Sequence, residues 1–278
     1  MPDTIAKQTL TEEVLSRFKD CPDPRVKEIM LALVKHLHAF AREVRLTDGE
    51  WMAGIEFLTR TGRICDEMRQ EFILLSDVLG LSMLVVEMNH GRVKEATEAT
   101  VQGPFYVPSA PELPRGAMVE GNPPGDPCAV SGSVRDANGK PIAGALLDVW
   151  QAGDDGVYSN QDPTKPKYEL RGKFRTAADG SYAFRTIVPR GYQIPTDGPV
   201  GDFMRAVKRP PWRPAHLHFM VSAPGYAPLT THLFVRGAEH LREDAVFGVK
   251  DSLIVDFKKR PDGAGYTLEH EFRLQPAG

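Results

Sequence analysis

Proline divides this chain into two regimes. Between Arg25 and Gly103 there is none, whereas 16 of the 23 prolines fall between Pro104 and Pro214. Proline lacks an amide donor and its ring clashes with the preceding helical turn, so it is excluded from helix interiors. The first stretch is therefore free to be helical, and the second cannot be mostly helix. At 278 residues the chain is long enough for about two domains. The expected division is a helical domain over 1–103 and a β domain over 104–278.

The proline-free part has helix signals. A threonine cap precedes a first helix at Thr11-Glu-Glu-Val. Asp23-Pro24 opens a second, with proline in its first turn. Val26, Ile29, Met30, Leu33, Val34 and Leu37 recur at intervals of three and four, the period of one helical face. Thr47-Asp-Gly-Glu caps a third helix. A fourth is expected over 71–89, apolar on so many sides (Phe72 to Val86) that it must be covered from several directions.

The proline-rich part reads as short strands between turns. Cys128–Asp136 alternates and ends at Ala137-Asn-Gly-Lys, a hairpin signal leading into a strand over 143–151. Further strands are expected at 181–187, 213–222, 230–235, 252–257 and 266–274. That pattern indicates a β-sandwich. The long connections 104–127 and 188–212 are of the kind that is functional or disordered.

Composition narrows the function classes. Lys+Arg number 34 against 37 Asp+Glu, a net charge of −3, which offers no basic surface for nucleic acid. No run reaches the roughly 18 apolar residues of a membrane span. The first residues, MPDTIAKQTLTEEV, lack the apolar core of a signal peptide. Cys21, Cys65 and Cys128 are few and far apart, as expected of reduced thiols in the cytoplasm.

Two pairs of histidines have the spacing His-x-His. His36 and His38 fall on a helix, where positions i and i+2 point about 200° apart, so they cannot share an ion. His216 and His218 fall on a strand, where i and i+2 share a face. Both imidazoles can then reach one metal. Zinc would ask for a further Cys, His or carboxylate, and a triad with one carboxylate would suit ferrous iron. No acid stands out in such a context. Tyr158 and Tyr192 do stand out, at the mouths of loops. A phenol ordinarily ionises near pH 10, but a strongly Lewis-acidic trivalent cation can hold it as phenolate, a hard donor suited to Fe(III). On their own, both tyrosines read more readily as core or loop aromatics than as ligands.

Five motifs occur in order: Gly103-Pro-Phe-Tyr, Asp148-Val-Trp-Gln-Ala, Gly156-Val-Tyr-Ser, Ile187-Val-Pro-Arg-Gly-Tyr and Arg213-Pro-Ala-His-Leu-His-Phe. Together they resemble the intradiol ring-cleaving dioxygenases, the catechol 1,2-dioxygenase family, over nearly the whole chain. The resemblance implies a mainly β protein: a prealbumin-like β-sandwich catalytic domain with an N-terminal helical dimerisation or linker domain. It implies one Fe(III) per subunit, held by Tyr158, Tyr192, His216 and His218. Tyr192 would also leave the metal to accept a substrate proton. Arg213 would bind substrate and stabilise negative charge on the ring. The implied reaction is insertion of O2 between the two hydroxylated carbons of a catechol, giving a cis,cis-muconate.

Glu71-Phe-Ile-Leu-Leu-Ser-Asp-Val-Leu-Gly, Ala99-Thr-Val-Gln-Gly-Pro-Phe-Tyr, Ile194-Pro-Thr-Asp-Gly-Pro-Val-Gly and Thr231-His-Leu-Phe-Val are similar to the subgroup acting on hydroxyquinol (benzene-1,2,4-triol). Catechol or a chlorocatechol is the alternative substrate. Asp77, the only acid between Phe72 and Val86, needs a partner if buried, and a third substrate hydroxyl would supply one. Leu74, Val101, Gly103, Ile194, Pro195 and Val246 match the family's pocket positions. His232 stands where catechol-type members carry Gln, and is expected behind the ligands, near Arg213 or the iron. The resemblance further implies a homodimer through the N-terminal helices and a phospholipid at their interface. The segments Val130–Ala145 and Asp179–Phe184 also resemble prealbumin-like modules that only bind. The two tyrosines with His216 and His218 argue against that reading.

Overall fold

The computed structural model describes residues 9–67, 69–91, 93–121 and 123–277. Residues 1–8, within the stretch expected to lack a signal peptide's apolar core, lie outside them. Two compact units result, one ending at Thr59 and the other beginning at Arg60.

The first unit is built of helices: α1 (Leu10–Ser16), α2 (Pro24–Glu43) and most of α3 (Asp48–Arg63), which continues across the boundary. The caps follow the sequence with one shift. Thr9, two residues earlier than expected, caps α1 in a reciprocal box with Glu12. Asp23 accepts from the Arg25 and Val26 amides at 2.8 and 3.0 Å, with Pro24 at the first helical position. Thr47 and Glu50 form a second box at the start of α3. Val26, Ile29, Leu33, Leu37 and Phe40 make an exposed apolar stripe along α2.

The second unit begins with the end of α3. The single helix expected over 71–89 is in fact two, α4 (Glu71–Val78) and α5 (Leu81–Asn89). Gly80 between them has φ +74°, a left-handed conformation open to glycine, so the helical ladder ends there although the apolar run continues. Leu74, Val78 and Met83 are buried, but Leu81, Leu84, Val85 and Met88 are exposed. Cover from several directions is thus not supplied among the described residues.

The rest is a β-sandwich. One sheet has the order β10-β11-β1-β4 and contains β1 (Pro127–Asp136), β4 (Ser181–Ile187), β10 (Lys258–Lys259) and β11 (Tyr266–Leu274). The other has the order β3-β2-β7-β8-β9. It contains β2 (Leu146–Trp150), β3 (Arg171–Arg175), β7 (His216–Ser222), β8 (Leu229–Val235) and β9 (Ile254–Val255). A ribbon pairs β5 (Tyr192–Gln193) with β6 (Trp212–Arg213). Val130 and Val134, Phe184, Phe272, Leu147 and Val149, and Leu217, Phe219 and Val221 fill one core.

The hairpin expected at 137–140 forms but is short: Arg135 bridges antiparallel to Pro141, and the Ile142 amide donates to the Val134 carbonyl at 2.9 Å. The turn forms, with Asp136 Oδ1 accepting from the Asn138 and Lys140 amides at 2.9 Å. The strands on either side nevertheless belong to different sheets, because the chain crosses over after Ile142. Two elements of five residues or more were not anticipated. Strand β3 is rich in charge, and helix α6 (Pro199–Ala206) interrupts the expected loop 188–212. The loop 104–127 is ordered in its described part, bridging to Lys173 and Arg185. No helix among the described residues is long and apolar enough to cross a membrane.

Candidate metal centre

Strand alternation places the two histidines. Leu217, Phe219 and Val221 of β7 point into the sandwich core, so His216 and His218 point to the opposite face. Both are buried to within 2% exposure. The β5–β6 ribbon sets Tyr192 opposite Arg213. Tyr158 arrives on the loop after β2, where Gly156 has φ +76°. A Cβ on Gly156 would lie 3.1 Å from that of Tyr192, so the close approach of the two loops requires glycine there.

The four side chains converge. Tyr158 Oη lies 2.9 Å from His218 Nε2, 3.5 Å from His216 Nε2 and 3.4 Å from Tyr192 Oη. The two Nε2 atoms are 3.1 Å apart. Donors about 2.1 Å from a shared ion, at angles of about 90–120°, are separated by roughly 3.0–3.6 Å. The spacing therefore fits four ligands of one small cation. His216 Nδ1 sits 2.6 Å from the carbonyl of Pro214, which can only accept. Its proton is on Nδ1, and the Nε2 lone pair faces the centre.

Electrostatics agree. Burial, aided by Arg213, pulls the His216 imidazole down to about 3. Burial and the other histidines hold His218 well below its usual value. Both are neutral donors at ordinary pH. Burial, then Tyr192, pushes the Tyr158 phenol well above 10, so it ionises only with a strong positive charge beside it.

Arg213 leans over the cluster, 3.5 Å from Tyr192 Oη and 3.3 Å from His216 Nε2. Its other side is clamped by Asp244, Nε to Oδ1 at 3.0 Å and a second contact at 3.3 Å. Both side chains are only 2–3% exposed. Burial opposes each charge, but the partner more than offsets it, so Asp244 is held below its usual value and Arg213 above. The Gly248 amide also donates to Asp244 at 2.9 Å. Nothing in Arg242-Glu-Asp-Ala marks this acid in the sequence.

His232 faces His218 across β7 and β8. Nitrogens of His216, His218 and His232 lie within 4.8 Å of one another, the only such group of His, Cys, Asp or Glu among the described residues. His232 Nδ1 is hydrogen-bonded to the Thr100 hydroxyl, and its Nε2 is buried without a partner among the described residues.

Leu74, Val101, Ile194 and Val246 lie in one apolar cluster. Asp77, on the same helix as Leu74, is 2% exposed, and its Oδ2 has no hydrogen-bond partner among the described residues. It is close enough to Arg213 and Asp244 to feel their charges. A Cβ on Gly103 would touch His218 Cε1 at 3.8 Å. Gly103 also lines a cavity of about 690 Å³ with Ile73, Pro104, Tyr106 and Ser159. Pro195 is half-buried beside Ile194, with no further tie to the centre. His36 is exposed on α2, while His38 bonds to Thr11 Oγ1 at 3.0 Å, so neither joins a metal group.

Two family profiles match, one described as "Catechol dioxygenase N terminus" over residues 23–97 and one as "Dioxygenase" over 101–276. The 6-chlorohydroxyquinol 1,2-dioxygenase of Cupriavidus pinatubonensis is 52% identical over 270 residues, covering 97% of this chain and 98% of that protein. The hydroxyquinol 1,2-dioxygenase of Rhizobium sp. is 47% identical, covering 97% and 96%. Among solved structures, the hydroxyquinol 1,2-dioxygenase of Pseudomonas putida DLL-E4 superposes with a TM-score of 0.86 at 48% identity, covering 96% of this chain and 97% of that one.

Proposed function

The chain belongs to the intradiol ring-cleaving dioxygenases of the catechol dioxygenase family, and from that premise we propose that it opens the ring of hydroxyquinol. The reaction is hydroxyquinol + O2 → 3-hydroxy-cis,cis-muconate, which tautomerises to maleylacetate. Both oxygen atoms enter the product, and the bond between the two adjacent hydroxylated carbons breaks. The observation that carries the reading is the convergence of Tyr158, Tyr192, His216 and His218 at 2.9–3.5 Å.

That donor set, two phenols and two neutral imidazoles, suits Fe(III), one per subunit. When bound, the ferric ion supplies the Lewis acidity that keeps both phenols ionised and draws electron density from a diol to open its ring to O2. The chain's own groups do the rest. Pro214 keeps His216 in the donor tautomer. Tyr192, the more accessible of the two phenols at 5% exposure, accepts a proton from the incoming diol at Oη. Arg213, fixed by Asp244, places a permanent positive charge beside Tyr192 and His216, where it would stabilise negative charge on the substrate ring.

Asp77 supports hydroxyquinol over catechol. Its Oδ2 is buried with no hydrogen-bond partner among the described residues, while the Ser82 hydroxyl lies near the same carboxyl; a third substrate hydroxyl would donate to Oδ2, whereas catechol would offer it none. Leu74, Val101, Gly103, Ile194, Pro195 and Val246 shape the pocket around the ring. The test is kcat/KM on hydroxyquinol and on catechol in the parent and in Asp77→Ala. The parent should favour hydroxyquinol, and the variant should lose about 10- to 100-fold of that preference. An unchanged ratio would remove Asp77 as the residue that selects the substrate, and a parent that favours catechol or a chlorocatechol would make one of those the better reading.

We also read 1–103 as the dimerisation part and 104–278 as the catalytic part. The stripe Val26, Ile29, Leu33, Leu37 and Phe40 is apolar and exposed, which supports pairing with a second copy, and a phospholipid chain would suit the same surface. The three free cysteines favour a cytoplasmic protein.

A further inference from the structure

The two histidines at the centre are held by different means. A metal-bound histidine nearly always donates its other ring N–H to a carbonyl or carboxylate, which fixes the ring. His216 does so through Pro214. His218 does not: its Nδ1 is buried and has no hydrogen-bond partner among the described residues.

Rings take the place of that bond. In the register of the sheet, Trp150 of β2 and His232 of β8 flank His218 on its two neighbouring strands. The Trp150 and His218 rings stack with centroids 4.6 Å apart and planes 14° from parallel. The His232 ring lies on the other side at 4.2 Å, tilted 56°. Each plate is tethered in turn. Tyr106 packs on Trp150 at 5.0 Å and donates its hydroxyl to Asp148 Oδ2 at 2.9 Å. Thr100 holds His232.

The Trp150 indole N–H is itself buried without an acceptor among the described residues. Such a group costs stability, so if position 150 needed only bulk, phenylalanine would serve better. The indole face is, however, the most attractive of the aromatic faces to positive charge, and an imidazole bound to a trivalent ion shares that charge.

We propose that Trp150 is a positioning residue for His218, orienting the ring by stacking where no hydrogen bond does so, with His232 as the second plate. This rests on the reading of the four donors as a ferric site.

The test compares the iron-loaded parent with Trp150→Phe, Trp150→Leu and Tyr106→Phe, all matched by circular dichroism. Two readouts are taken: the tyrosinate-to-iron band in the visible spectrum, and the rate at which a strong chelator strips the metal. Trp150→Phe should fold as the parent does, yet shift the band and release iron about tenfold faster. Trp150→Leu should release it faster still, and Tyr106→Phe should move both readouts less, in the same direction. If the leucine variant does not fold, the phenylalanine variant decides. A parent band with both readouts unchanged in Trp150→Phe overturns the proposal and leaves the ferric reading standing. A parent without the band removes both.

Discussion

Replacing Asp244 by Asn should destabilise the folded chain by about 3 kcal/mol, because it strands a buried guanidinium. Asp244 and Arg213 meet at 3.0 Å with both side chains 2–3% exposed. At an effective dielectric of about 20, charges at that distance attract by about 5 kcal/mol. Asn keeps the shape and part of the hydrogen bonding, including an acceptor for the Gly248 amide, so the net loss falls near the low end of the range for a broken buried pair. Urea denaturation at matched metal content reads the loss directly. In a thermal melt it corresponds to a drop of roughly 6–12 °C. The double variant Arg213→Met/Asp244→Leu separates charge from shape. With no stranded charge, it should recover most of the stability while remaining inactive. An Asp244→Asn protein within about 0.5 kcal/mol of the parent, or a double variant no more stable than the single one, would refute the reasoning.

Burial pushes the Asp77 carboxyl up from 3.8 to about 6. The folded state therefore binds this proton more tightly, and the stability it confers is present below 3.8 and lost as pH rises through about 6. Asp77→Asn should flatten the parent's decline between those limits by up to about 3 kcal/mol, seen in urea midpoints across that range. Gly156→Ala meets both a φ of +76° and the Tyr192 Cβ at 3.1 Å. It should destabilise by about 1–3 kcal/mol and lower kcat by displacing Tyr192. A charge in the α2 stripe, Leu33→Glu, should convert a dimer to a monomer in sedimentation while leaving the visible spectrum unchanged.

The site was partly legible before any fold was known. Strand alternation alone put His216 and His218 on one face, and the core-facing Leu217, Phe219 and Val221 account for it. Tyr158 and Tyr192 were different. Sequence spacing could not join them, because the β5–β6 ribbon and the turn at Gly156 bring together loops that are distant along the chain. Their positions and phenolate chemistry made them candidates, but only the family resemblance joined them to the two histidines as ligands. Asp244 carried no local signal, since its significance lies in burial against Arg213. The break at Gly80 was written in Leu79-Gly-Leu but masked by the apolar run on either side. Helix α6 hid in a proline-rich loop, although Gly198-Pro199 is an ordinary way to start a helix. Strand β3, Arg171-Gly-Lys-Phe-Arg, lacks a strand's composition because the Arg171 side chain is buried on hydrogen bonds to Phe105, Ser159 and Asn160.

The most direct test of the proposed ferric tyrosinate centre is the visible absorption spectrum of the iron-loaded protein beside that of Tyr158→Phe. A broad charge-transfer band in the parent, weakened or shifted in the variant, is the predicted result. A colourless parent with a full complement of iron would contradict the assignment of the tyrosines as ligands.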